Sequence, residues 1–141
     1  MTVSGAARRA PRLRPLLAPA GAAAAALAAV GYVSAIDPNH AGHYPTCPFL
    51  ALTGWYCPGC GTLRMLHALG HGRLHEAFGH NVLAFSLLPL LGYLWVRWTV
   101  RLARGRPRTT VTDPRLVWLL VAAIGAFWVL RNIPAFHVLA P

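Results

Sequence analysis

Three uncharged apolar runs, at 16–36, 82–96 and 116–130, are separated by polar segments rich in His, Arg, Gly and Pro. The first run spans about 30 Å at 1.5 Å rise per residue, the thickness of a bilayer's hydrocarbon core. The second is short, but Arg97 and Arg101 follow it one turn apart. Their apolar stems can stay in lipid while the guanidinium groups reach headgroups, which extends a helix over 82–103. Pro89 lies inside that helix and removes one backbone hydrogen bond, so a kink is expected. The third run is bracketed by Arg115 and Arg131 and is also short, so it requires local thinning or snorkelling. Trp95 and Trp98 suit an interfacial belt. The pattern predicts an all-α integral membrane protein with three transmembrane helices.

Between the first two spans, the residues after Cys60 have helical periodicity. At 100° per residue, Arg64, His67, His71 and His75 share one sector, and Leu63, Met65, Leu66 and Leu69 occupy the other side. This predicts a short amphipathic helix starting at Gly61 or Thr62 and weakened or ended by Gly70 and Gly72. It would lie in the interface with its apolar side down. The row of His residues would then be a solvated face, or His67 and His71, four residues apart, would share a metal. Arg64 would bind a headgroup phosphate or another anion, pair with Glu76, or sit as a plain interfacial cation. Asn81, just before the second span, is a natural helix cap.

Composition supports the membrane class. Hydrophobic residues make up 56% of the chain and charged residues 11%, against roughly a quarter charged in a soluble domain. At 141 residues there is room for one domain. The net charge of +10 comes from Arg without any Lys, set against only Asp37, Glu76 and Asp113. Those Arg residues cluster at the ends of apolar runs and form no basic face interleaved with aromatics, which argues against a nucleic-acid partner. The Ala, Arg, Gly and Pro bias points to a bacterial source. With the N-terminus inside, ten Arg residues (8, 9, 12, 14, 97, 101, 104, 106, 108 and 115) face the cytoplasm, and Arg64, Arg73 and Arg131 face outward. The positive-inside rule selects this orientation.

The expected layout is a cytoplasmic basic tail (1–15), a first span (16–36) and an extracytoplasmic Cys/His-rich loop with the interfacial helix (37–81). A second span (82–103), a cytoplasmic loop (104–115), a third span (116–131) and an extracytoplasmic tail (132–141) complete it. The expected location is the bacterial plasma membrane, with the lipid bilayer as the main partner and a membrane-protein partner or a homo-oligomer beside it. The basic start, the apolar run and Val33-Ser34-Ala35 also fit a cleaved secretory signal. The run is longer than the 7–15 residues of a typical signal core, and either outcome leaves the loop on the same side.

All three cysteines, Cys47, Cys57 and Cys60, lie in that loop, as do six of the seven His residues. Cys57 and Cys60 form a C-x-x-C pair. Two intervening residues let both thiols reach one metal ion or each other. Three readings stay open. Two of the cysteines form a disulfide that pins the loop, leaving one over. Alternatively, Cys47, Cys57, Cys60 and one His, with His67 and His43 nearest, complete a tetrahedral zinc site. In the third, Cys57 and Cys60 carry out thiol–disulfide exchange, with Cys60 activated at a helix start. Arg64, Asn81, Arg131 and Asn132 should lie at similar depth and form a polar cluster around the loop, or else be four separate interfacial residues. No acidic residue lies within a predicted span, which ranks a transporter or channel low.

At these residues the chain resembles the domain of unknown function 2752 family of small bacterial membrane proteins. The resemblance rests on Cys47-Pro48-Phe49, Thr53-Gly54, Cys57-Pro58-Gly59-Cys60-Gly61, Arg64, Gly72 and Asn81, with Arg131-Asn132-Ile133-Pro134 similar to a C-terminal element. Two positions depart from the family pattern. Leu63 stands where Thr is common before the Arg, and Val82 stands where Pro is common after the Asn. The resemblance implies the membrane class and a cysteine site, and no reaction. The function expected is a non-enzymatic accessory or partner-binding membrane protein whose loop is held by a disulfide or zinc. The alternative is a membrane thiol–disulfide oxidoreductase.

Overall fold

The computed structural model describes residues 14–40, 42–106 and 114–140. Arg8, Arg9, Arg12, Arg108 and Asp113, which enter the charge count, lie outside the described residues. Among the described residues six α-helices follow in order: α1 (Leu17–Ala35), α2 (Pro48–Thr53), α3 (Thr62–Gly70), α4 (Leu74–His80), α5 (Val82–Ala103) and α6 (Pro114–Leu130). Short 3-10 turns precede α1 (Arg14–Leu16) and follow α6 (Pro134–Leu139). Among the described residues there is no strand.

α1 and α5 are long and apolar enough to cross a membrane. α6 is apolar but has 17 residues, about 26 Å at 1.5 Å per residue and short of a hydrocarbon core. α5 runs as helix through Pro89. Neither α5 nor α6 has a buried residue, and α1 has only Pro19 and Val33. Large side chains such as Leu27, Leu91, Tyr93, Trp118 and Leu119 are more than half exposed. Contiguous apolar surface on this scale is not left to water.

The small packed core lies at one end of these helices. Met65, Ala68 and Ala77 are fully buried, with Leu66, Leu69, Ala84, Phe85 and Leu88 against them. α3, α4 and the first turns of α5 therefore form one packed unit. The helix expected after Cys60 is α3, which ends at Gly70; the chain turns at Gly72, where φ is +73°, and a second short helix, α4, follows. The Arg73 N–H returns to the Ala68 carbonyl there, 2.8 Å away.

α1 docks on α3 by two devices. His67 Nδ1–H donates to the Val33 carbonyl at 2.9 Å, and the carbonyl's lack of a proton fixes that tautomer. Val33 lies in the last turn of α1, where carbonyls have no intrahelical partner, so His67 caps a helix distant in sequence. The second device is close approach. A Cβ placed on Gly70 would fall onto Ser34 Oγ and within 3.1 Å of Ser34 Cβ. Trp95 Nε1–H also donates to the Pro19 carbonyl at 3.1 Å, joining α5 to the start of α1.

The same substitution at two glycines should therefore have opposite signs. Gly79, in α4, has nothing within 4 Å of an added Cβ, so Gly79→Ala should stabilise by up to about 1 kcal/mol through helix propensity. Gly70→Ala should destabilise by about 1–2 kcal/mol through overpacking against Ser34. Thermal unfolding of both variants in one detergent checks this, and equal shifts would mean that α1 does not approach α3 so closely.

Candidate functional site

The cysteine loop is built from strong local signals. Cys47 precedes Pro48, which starts α2 with φ already set for helix. α2 ends at Gly54, in the left-handed region at φ +73°, where the Gly54 N–H reaches the Leu50 carbonyl at 2.9 Å. The segment Cys57-Pro58-Gly59-Cys60 is a tight turn closed by the Cys60 N–H on the Cys57 carbonyl at 3.1 Å. Pro58 occupies the second turn position, which favours its fixed φ. Gly61 follows at φ +86° and is the N-cap of α3, so a residue without Cβ turns the chain directly into the helix.

This backbone brings the three sulfurs together. Cys57 Sγ lies 3.2 Å from Cys60 Sγ and 3.5 Å from Cys47 Sγ, and all three sulfurs fall within 4.8 Å of one another. All three cysteines are free thiols. Three sulfurs on one zinc ion at about 2.3 Å in tetrahedral geometry lie about 3.8 Å apart, and the two spacings of 3.2 and 3.5 Å fall a few tenths of an ångström short of that value. Cys60 is buried, and Cys47 and Cys57 are half-buried.

The electrostatics differ from the redox expectation. Cys60 does not occupy the helix start, which falls to Gly61. Burial pushes the Cys60 thiol up to about 12, and its contacts with the Cys57 and Cys47 thiols add to the shift. Cys47 is shifted the other way. The Leu50 amide in the first turn of α2 lowers its pKa below the ordinary thiol value, with further help from the Cys57 thiol. That amide is not aligned well enough for a capping hydrogen bond. Without a metal, Cys60 stays protonated at neutral pH.

Three polar side chains hold the loop from behind. Arg131, immediately after α6, is 2% exposed. Its Nη1 donates to the Cys57 carbonyl at 2.9 Å and the Pro58 carbonyl at 3.2 Å, and Nη2 donates to the Cys60 carbonyl at 3.1 Å. The guanidinium packs over the Phe127 ring at 4.9 Å and near the Tyr56 ring at 5.9 Å. Asn81 is 1% exposed. Its Nδ2 donates to the Pro58 and Cys60 carbonyls at 3.0 and 3.2 Å and to Thr62 Oγ1 at 3.2 Å. Its Oδ1 accepts from the Ala84 N–H at 3.0 Å, which is the cap expected for α5. Asn132 pairs with both backbone groups of Tyr56, accepting from N–H at 2.8 Å and donating to the carbonyl at 2.9 Å. The turn is thus bound to the ends of two long helices, and a buried loop requires such satisfaction of its polar groups.

Two expected members lie elsewhere. Arg64 is exposed and makes no hydrogen bond or ion pair among the described residues. Glu76, its expected partner, instead meets Arg73 at 3.0 Å and His80 at 3.6 Å. His67 is not grouped with the sulfurs. It is buried against α1, with Nδ1–H on Val33 and Nε2 at 3.9 Å from Asp37 Oδ1. The row of His residues is therefore not one solvated face, because α1 covers His67 while His75 stays exposed. His43, the other His expected near the cysteines, is likewise not grouped with the sulfurs.

These features define an all-helical protein with two apolar helices of membrane-crossing length and a cysteine site at one end of them. Residues 47–95 match the sequence model of the family described as protein of unknown function (DUF2752). Over that segment, from Cys47 through the cysteine turn, α3, α4 and most of α5, the chain resembles that family. Arg131 and Asn132 lie beyond the matched residues. No curated protein and no solved structure matches the chain.

Proposed function

We propose that this is a small bacterial plasma-membrane protein with three spans. Its extracytoplasmic loop is an anchored metal site formed by Cys47, Cys57 and Cys60, serving an accessory or partner-binding role without catalysis. The observation that carries the metal reading is the convergence of three unbonded sulfurs within 4.8 Å at a turn held by Arg131 and Asn81, with Asn132 on the preceding Tyr56. Zinc is the cofactor such thiolates suit, and three protein ligands leave the fourth position to solvent or to a group from a partner. Exposed α1, α5 and α6 support the three spans, with α6 accommodated by tilt or thinning. The Arg distribution supports an inside N-terminus. The docking of His67 and Gly70 on the last turn of α1 supports retention of that helix over cleavage after it.

The second reading keeps Cys57 and Cys60 as a dithiol that gives up two electrons and two protons to an acceptor disulfide. The 3.2 Å approach of the two sulfurs favours it, and the protonated, buried Cys60 opposes it.

One labelling experiment separates these readings. Intact cells are treated with a membrane-impermeant maleimide, before and after exposure to a chelator or to a reductant. The expected result is protection until chelation, then labelling from outside, with the buried Cys60 modified last. Labelling unlocked only by reductant supports the disulfide chemistry, and labelling only in inverted vesicles reverses the orientation.

A further inference from the structure

Arg131 is a buried cation with no carboxylate beside it among the described residues. Taking a guanidinium out of water is costly unless a counter-charge comes with it, yet its hydrogen-bond acceptors here are three neutral carbonyls. The chain has only three acidic side chains. Asp37 accepts from the Asn39 backbone and side chain and lies beside His40 and His67. Glu76 is engaged by Arg73 and His80. Asp113 lies outside the described residues; Pro114, which follows it in the chain, starts α6, about 26 Å from Arg131 at 1.5 Å per residue. What Arg131 does touch is the backbone of Cys57 and Cys60, two of the three clustered thiols.

Charge counting then selects a state of the site. Three neutral thiols leave the guanidinium uncompensated, and so does a disulfide plus one protonated thiol; a lone thiolate would balance it too, but would give no three-sulfur Co²⁺ band. A divalent cation that displaces three thiol protons gives a tris-thiolate complex of net charge −1, and with Arg131 the sum is zero. A monovalent cation on three thiolates would leave −2 against +1. We infer that Arg131 is the built-in counter-ion of an anionic tris-thiolate site selective for a divalent metal, held against the turn by its three carbonyl bonds. This rests on the metal reading proposed above and adds a positioning residue from the opposite end of the chain. Partners one shell out from a metal typically change its affinity 10–100-fold.

The test compares full-length wild type, Arg131→Lys and Arg131→Gln in detergent. Zn²⁺ affinity is measured against a chromophoric chelator, and the sulfur-to-metal charge-transfer band of the Co²⁺ form reports the ligands. Lys keeps the charge and loses the fork, while Gln keeps a donor and loses the charge. Arg131→Gln should bind Zn²⁺ about 10–100-fold more weakly with an unchanged three-sulfur Co²⁺ band, and Arg131→Lys should stay within about threefold of wild type. Equal losses in the two variants, or no loss in Arg131→Gln, overturn the counter-ion role and leave the metal site standing. If Arg131→Gln does not fold, Arg131→Lys decides alone: retention within threefold supports the inference and a tenfold loss overturns it. A wild-type protein that takes up no metal sinks the site and its counter-ion together.

Discussion

A Cys60→Ser protein is expected to lose stoichiometric metal while keeping its helices. Cys60 is the buried member of the sulfur set, and its position is fixed by the Cys57 turn on one side and Gly61 on the other. A hydroxyl is a poor ligand for a soft-to-borderline divalent ion and reaches less far than a thiolate. The loss in affinity should be about a hundredfold or more, at or beyond the top of the range for outer partners. Stability without metal should barely move. The Cys60 backbone keeps its bonds from Arg131 and Asn81, and the side chain gives up a thiol that accepts only weakly from the Cys57 N–H at 3.3 Å. Metal content by elemental analysis, with helix content by circular dichroism, checks both halves. A Cys60→Ser protein that still carries one zinc per chain would remove Cys60 from the site.

Asn81→Ala should be the most destabilising single change to the fold. The Ala84 N–H would lose its only side-chain acceptor, and loss of such a cap costs about 1 kcal/mol. Pro58 and Cys60 would each lose one of two donors, because Arg131 also serves both. Thr62 Oγ1 would lose its donor as well. With roughly 1–3 kcal/mol for each buried group left unmet, a total of about 2–4 kcal/mol is expected. Shared acceptors predict coupling: Asn81→Ala and Arg131→Ala together should cost more than the sum of the two, because only the double variant strips those carbonyls of every donor. Thermal unfolding of the four proteins of this cycle in one detergent measures the interaction energy, and strict additivity would contradict the shared cradle.

Several features were legible from residue order alone. The boundaries of α1 and α5 fall where charge-free runs and their flanking Arg residues place them. The cap at Asn81 is visible because a short amide side chain stands directly before an apolar periodic run. The clustering of Cys47 with the C-x-x-C pair is also accessible, since Pro48 and the Pro58-Gly59 turn confine the backbone locally. The split between α3 and α4 had a local signal too. Gly72 needs only a positive φ to turn the chain, and two glycines around His71 marked the place.

His67 illustrates what periodicity misses. A helical wheel sorts side chains by angle but carries no information about what covers each angle. His67 shares a sector with Arg64 and His75, yet α1, more than thirty residues earlier, lands on it and leaves the other two exposed. Arg64 falls out of the polar cluster for the same reason: depth in the membrane does not fix direction around a helix axis.

The chain's order of apolar and polar residues determined that helices form, where they end and that two thiols share one turn with a third nearby in the chain, because helix period, caps and turns act within a few residues. Only the tertiary structure decided which polar groups stand behind those thiols. Arg131 and Asn132 meet the turn across more than seventy residues, a contact between parts of the chain that no local rule of period, cap or turn can anticipate, and Trp128 lies edge-on to Phe49 at 5.6 Å beside them.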